Sequence, residues 1–175
     1  MFASMQQIGT DMEKIAMYIE NYWGNYIGGT DDSLTLLDYL MDKQKSEISL
    51  SEIFADIGLD KLNWDFHRTE AELEYSGQDG GEYVFYYAID VVTDLAALML
   101  ECSVNGSVSL GELLDEENGD TICITFTQEE RSAVNKALAD FFKDPLSYDL
   151  HEIVPDEDIQ EMAQECENLR KELCE

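Results

Sequence analysis

Apolar positions along this chain recur first at helical spacing, then in strict alternation, then at helical spacing again. Thr10-Asp11-Met12-Glu13 fits a capping box, with Thr10 as N-cap and Glu13 three residues on. Met12, Ile15, Ala16, Ile19 and Tyr22 follow, which predicts a first helix that fades near Gly24. Asp31, Asp32 or Ser33 is placed to cap a second helix carrying Leu34, Leu37, Leu40 and Met41. Ser49 or Ser51 starts a short third helix through Ile53, Phe54 and Ile57, stopped by Gly58.

The period then changes to two. Leu62, Trp64 and Phe66 alternate with Asn63, Asp65 and His67, and Ala71, Leu73 and Tyr75 with Glu70, Glu72 and Glu74. The turn signal Ser76-Gly77-Gln78-Asp79-Gly80-Gly81 leads into the aromatic run Tyr83-Val84-Phe85-Tyr86-Tyr87. Residues 62–88 therefore predict an antiparallel hairpin, or a meander if the first strand breaks near His67. Val91, Leu95, Leu98 and Met99 predict a buried helix from about Asp90 to Glu101, ended by Asn105-Gly106. Ile122, Ile124 and Phe126 form another alternating strand. Thr127-Gln128-Glu129-Glu130 is a second capping box, and Asp144-Pro145 ends the helix behind it. Ile159, Met162, Cys166, Leu169 and Leu173 mark a last helical stripe, too short for a coiled coil, which predicts packing onto its own domain.

The fold class expected from these elements is α+β. A small, mainly antiparallel sheet from residues 62–88 and 121–127 is packed with several helices, in one compact domain over 1–175. A weak internal similarity relates about 33–67 to 93–127. Ile48-Ser49-Leu50-Ser51-Glu52-Ile53 resembles Val108-Ser109-Leu110-Gly111-Glu112-Leu113, and Leu62–Phe66 aligns with Ile122–Phe126 at the same offset. The plainer reading is that Ser-Leu-x-Glu is a common helix start.

Charge changes the picture most. The 175 residues hold 39 Asp+Glu against 10 Lys+Arg, a formal net charge of −29. Between Arg68 and Arg131 lie 62 residues with 15 acids and no Lys or Arg. Such a chain does not bind nucleic acid or anionic lipid directly, since both require a basic surface. Its partner is expected to be a basic protein. Size scaling gives a folded surface of roughly 8,700 Å², or about one net charge per 300 Å², roughly a third of the charge density of duplex DNA. Imitation of DNA thus requires one face to concentrate the acids.

Three groups of acids offer themselves. Glu70, Glu72 and Glu74 are expected on one side of a strand, at spacings of about 6.5–7 Å. Asp115, Glu116, Glu117 and Asp120 sit on a loop. Asp158, Glu161 and Glu165 line the flank of the last helix. Tyr26 and Tyr86 are the aromatic candidates, because hot spots favour aromatic anchors while exposed acids mostly give steering and on-rate.

Catalytic and metal signatures are weak. The loop Asp115–Asp120 fits no EF-hand register: Gly119 at the sixth position puts Leu114 first, and Asp115 first puts Phe126 twelfth. A looser Ca²⁺ or Mg²⁺ site there stays open. His67 and His151 are the only histidines, no Cys-x-x-Cys occurs, and there is no phosphate loop or nucleophile elbow. No enzyme, metal or cofactor is expected. The N-terminus lacks a signal-peptide pattern and no apolar stretch is long enough to span a bilayer, so a cytoplasmic protein with four reduced cysteines is expected.

The leading expectation is an acidic inhibitor that covers the basic nucleic-acid-binding surface of a nuclease or defence effector. This would be a nucleic-acid mimic of the anti-CRISPR or anti-restriction type. The alternatives are an immunity protein neutralising a cognate toxin, and an acidic scaffold or adaptor without catalysis.

Overall fold

The computed structural model describes residues 17–78, 80–115 and 120–175. The Thr10 capping box and the start of the helix expected behind it lie outside the described residues. Within them, Tyr18–Asn21 forms a single 3₁₀ turn. Helix α1 spans Asp31–Lys43, and its N-cap is Thr30 rather than the three residues expected from the sequence. The Thr30 hydroxyl accepts from the Ser33 N–H, and the Ser33 hydroxyl accepts in return from the Thr30 N–H. Asp32 is thereby free to turn its carboxylate elsewhere.

Strand β1 (Glu47–Ser49) runs directly into α2 (Leu50–Ile57), where the Ser49 hydroxyl accepts from the Glu52 N–H at 3.1 Å. Gly58 ends α2 at φ +105°, the left-handed conformation that a side chain rarely adopts. The same local pattern recurs at β4 (Val108–Ser109) and α4 (Leu110–Leu113), with Ser109 accepting from the Glu112 N–H. Both strands flank β5 (Thr121–Thr125), giving a three-stranded sheet in the order β1-β5-β4. β1 is parallel to β5, with Ile48 opposite Ile124, and β4 is antiparallel to it, with Val108 opposite Ile122.

The hairpin is shorter than its alternation predicts, and it forms a sheet of its own. β2 (Leu73–Ser76) pairs antiparallel with β3 (Glu82–Phe85), placing Leu73 opposite Phe85 and Tyr75 opposite Tyr83. The alternating segment 62–67 is not a strand. Leu62 closes a 3₁₀ turn, and Asn63 and Trp64 both have positive φ. Trp64 lies 4.8 Å from Phe54 and 5.8 Å from Phe66 between ring centroids, so these aromatics close over α2 instead of lining a pleat. Period two marks positions that face the core in turn, and a coil wrapped on a helix satisfies it without a ladder. The expected single sheet is therefore two.

Helix α3 (Ala88–Asn105) runs through the centre, buried continuously from Ala88 to Cys102. Gly106, at φ +87°, ends it as Asn105-Gly106 predicts. The Thr127–Glu130 capping box opens α5 (Gln128–Lys143). Two 3₁₀ turns, Pro145–Ser147 and Asp149–Glu152, lead to α6 (Asp156–Cys174). α6 lies along α5 and α3, and all five residues of its apolar stripe are buried, so the stripe meets its own core. Among the described residues no helix is long and apolar enough to cross a membrane.

Candidate acidic groove

Helix α3 carries three acids in an otherwise apolar sequence, at Asp90, Asp94 and Glu101. Each is nearly or wholly buried, and each holds part of the chain between residues 19 and 33. Glu101 accepts from the Ile19 N–H at 2.7 Å and from the Asn105 side chain at 2.7 Å. Asp94 accepts from the Gly28 N–H at 2.9 Å and the Ser33 hydroxyl at 2.6 Å. Asp90 accepts at Oδ2 from the Thr30 hydroxyl at 2.7 Å. Its other oxygen, Oδ1, is buried and has no hydrogen-bond partner among the described residues.

The same segment is tied to α6 by tyrosines. The Tyr18 and Tyr22 hydroxyls donate to Glu172. The Tyr26 hydroxyl donates to Glu161 at 2.9 Å and to Asp158 at 3.1 Å. Those two acceptors hold the Tyr26 phenol protonated, well above its ordinary range; the Glu161 hydrogen bond is the main cause, with burial and the Asp158 hydrogen bond behind it.

Between these attachments lies a groove of about 450 Å³. Its walls come from the segment 25–30, the N-terminus of α1, the junction of β3 with α3, the connection after Leu150, and the start of α6. Tyr26, Tyr86, Tyr87, Ile153 and Met162 supply apolar surface; Asp31, Asp32, Asp90 and Asp158 supply carboxylates. No Lys, Arg or His lines it. Tyr86 and Ile153 stand 64% and 63% exposed at the rim, while Asp90 is 2% exposed at the floor.

The floor is electrostatically unusual. Burial pushes the Asp90 carboxyl up to about 7, opposed by the Thr30 hydrogen bond and reinforced by the charge of Asp32. Asp94 is raised too, first by burial and then by Asp90. Asp32 is raised by burial and lowered by the N–H groups of Tyr86 and Tyr87. None of the three is ion-paired with a Lys, Arg or His of the described chain. Protein interiors normally pair such carboxylates.

The structure brings some of the predicted residues together and separates others. Tyr26, Tyr86 and Asp158 all line the groove, and Glu161 holds Tyr26 at its edge. Glu165, on the same helix, is half-buried and raised by burial; its Oε2 has no hydrogen-bond partner among the described residues, and Asn25 bonds the carboxylate from the neighbouring segment. Glu70, Glu72 and Glu74 are exposed and line no part of the groove. Only Glu74 belongs to β2, so the strand spacing expected for the three does not apply: Glu70 and Glu72 precede the ladder in irregular chain. Asp115 and Asp120 are exposed at the two ends of the acidic loop, and Glu116 and Glu117 lie outside the described residues. Among the described residues no three His, Cys, Asp or Glu side chains are placed to hold a metal ion.

Asp32, Asp90 and Asp94 were not among the sequence candidates. A signal for two of them existed: Asp90, Asp94 and Glu101 sit at positions i, i+4 and i+11 of a helix that is otherwise almost entirely apolar. Acids on one face of a buried helix have to be satisfied by something.

The fold is α+β, and the groove sets an aromatic rim around buried carboxylates. The chain belongs to the family described as immunity protein 68, whose model matches residues 18–173. No curated protein and no solved structure matches it. Family membership favours the immunity alternative of the sequence reading over a nucleic-acid mimic.

Proposed function

We propose that this chain neutralises a cognate protein toxin by binding, without catalysis, and that the toxin seats on the groove walled by Tyr26, Tyr86 and Asp158. The observation that carries this reading is their convergence. Residues chosen separately as aromatic anchor, aromatic anchor and acid line one concave surface in a chain of an immunity family. Exposed aromatic and aliphatic groups at a rim, with polar acceptors beneath, are the composition of an interface hot spot. The net charge of −29 supports a basic docking face on the toxin and fast, salt-sensitive encounter. The mimic reading draws less support, because its strand ladder at Glu70, Glu72 and Glu74 is mostly not a strand.

The test is neutralisation. The cognate toxin, expected in a neighbouring gene, is expressed with and without this chain, and growth and complex formation are followed. Rescue of growth and a stoichiometric complex that unrelated duplex DNA does not displace are expected. A toxin that stays active in the presence of the chain overturns the reading; displacement of the complex by any DNA favours mimicry.

A further inference from the structure

We propose that the folded chain holds one proton between Asp90 and Asp94, relayed through the Thr30 and Ser33 hydroxyls, and that losing it as pH rises loosens the groove wall at Thr30. Three oxygen–oxygen contacts join the two acids in series. Asp90 Oδ2 lies 2.7 Å from Thr30 Oγ1, Thr30 Oγ1 lies 3.0 Å from Ser33 Oγ, and Ser33 Oγ lies 2.6 Å from Asp94 Oδ2. Each hydroxyl carries one proton, so with both acids ionised the middle contact has none. Thr30 then donates to Asp90, Ser33 donates to Asp94, and the two hydroxyl oxygens face each other lone pair to lone pair. One further proton, on Asp90 Oδ2, completes the series: Asp90 donates to Thr30, Thr30 to Ser33, and Ser33 to Asp94. Thr30 Oγ1 also accepts from the Ser33 N–H, and Ser33 Oγ from the Thr30 N–H. With the extra proton, both lone pairs and the proton of each hydroxyl are used.

The proton belongs on Asp90 and not on Asp94. Both Asp94 oxygens accept, one from the Gly28 N–H and one from Ser33, which suits a carboxylate. Asp90 Oδ1 is sealed beneath the groove and has no hydrogen-bond partner among the described residues. An unmet oxygen costs less on a neutral acid than on a carboxylate. The groups around the pair do not neutralise it. Asp32 faces both acids from α1 with Asp31 behind it, and Cys166 faces them from α6. Asp158, Tyr26, Tyr86 and Tyr87 line the groove above. Burial raises Asp90 and Asp94, and neighbouring carboxylates add to it. Loss of the proton leaves two buried charges one helical turn apart and an unfilled contact at Thr30. Thr30 is both the N-cap of α1 and a lining residue of the groove.

The relay can be read without the toxin. Side-chain ¹³Cγ and backbone ¹⁵N shifts of labelled protein are followed from about pH 5 to about pH 9. The Asp90 carboxyl is expected to titrate near 7, and the Gly28, Thr30 and Ser33 amides to follow with the same midpoint. Asp90→Asn, whose amide donates to Thr30 at every pH, is expected to hold those amides at their low-pH positions throughout. Thr30→Ser keeps a hydroxyl and is expected to preserve the common midpoint. Thr30→Val removes it and is expected to cut the Ser33 and Gly28 response severalfold. Asp90 titrating in the ordinary carboxylate range overturns the proposal, as do amides that ignore it or an unchanged response in Thr30→Val. Toxin affinity is a second readout, and it alone rests on the docking proposed above. Between about pH 6 and about pH 8.5 the parent is expected to lose affinity severalfold relative to Asp90→Asn. An intact relay without that difference would defeat docking at this groove, and neutralisation by a chain without the relay would defeat this inference alone.

Discussion

The carboxylate of Asp32, in the first turn of α1, accepts the backbone N–H of Tyr86 at 3.0 Å, across 54 positions of the chain. Its second oxygen accepts the Tyr87 N–H, also at 3.0 Å. One side chain thereby fixes the point where β3 hands over to α3, and with it the direction in which Tyr86 projects. Asp32→Ala leaves two partly buried N–H groups unpaired. A loss of about 2–3 kcal/mol is expected by urea unfolding, since removal of a crowded negative charge offsets only part of it. An unchanged midpoint would mean that the junction is held by packing alone.

Stability should depend on pH through Asp90. Its carboxyl is held at about 7 in the folded chain, against about 3.9 when unfolded. The folded state therefore binds the extra proton between these values. The contribution of Asp90 is fully present below about pH 4, shrinks as pH rises, and is gone above about pH 7. Relief of the −29 net charge on acidification has the same sign, so the comparison must be with Asp90→Asn. That variant mimics the neutral acid and is expected to be more stable than the parent at pH 8, by on the order of 4 kcal/mol. The gap should close toward pH 4.

Tyr86→Ala should separate binding from folding. The side chain is 64% exposed, so its removal is expected to change unfolding free energy by less than about 0.5 kcal/mol. Toxin affinity should fall at least about tenfold, mainly through faster dissociation. Surface plasmon resonance with the cognate toxin checks both rates.

Charge reversal of Glu70, Glu72 and Glu74 to lysine provides the opposite signature. These exposed acids lie outside the groove, so on the proposed docking they act only at long range. Association is expected to slow severalfold at low salt and to converge with the parent at high salt, with dissociation little changed. A large increase in dissociation rate would move the interface to that surface.

The cysteines should differ in reactivity. Cys102 and Cys166 are buried; burial pushes the Cys102 thiol up to about 11 and raises Cys166 as well. Cys123 and Cys174 are half-buried. Iodoacetamide at pH 8 is expected to modify at most these two in the folded chain, and all four in denaturant, as read by intact mass.

Much of this protein was legible in order along the chain. The boxes and stripes at Ser49–Ile57, Thr127–Phe141 and Ile159–Leu173 identify helices, because caps and helical spacing are local properties that neighbours in sequence decide. The excess of acids likewise sets the sign of the chain's own field before any folding is considered. Tertiary structure alone decided the rest. Whether Trp64 and Phe66 join a ladder or close over Phe54 depends on a partner strand, and none pairs with them among the described residues. Whether Glu70, Glu72 and Glu74 or Asp32 and Asp90 matter depends on burial, which one chain's order does not state. The groove exists because residues near 26, 32, 86, 90, 153 and 158 meet in space. In water their charges are ordinary; brought together, Asp32 and Asp90 are pushed up by burial toward the protonated form.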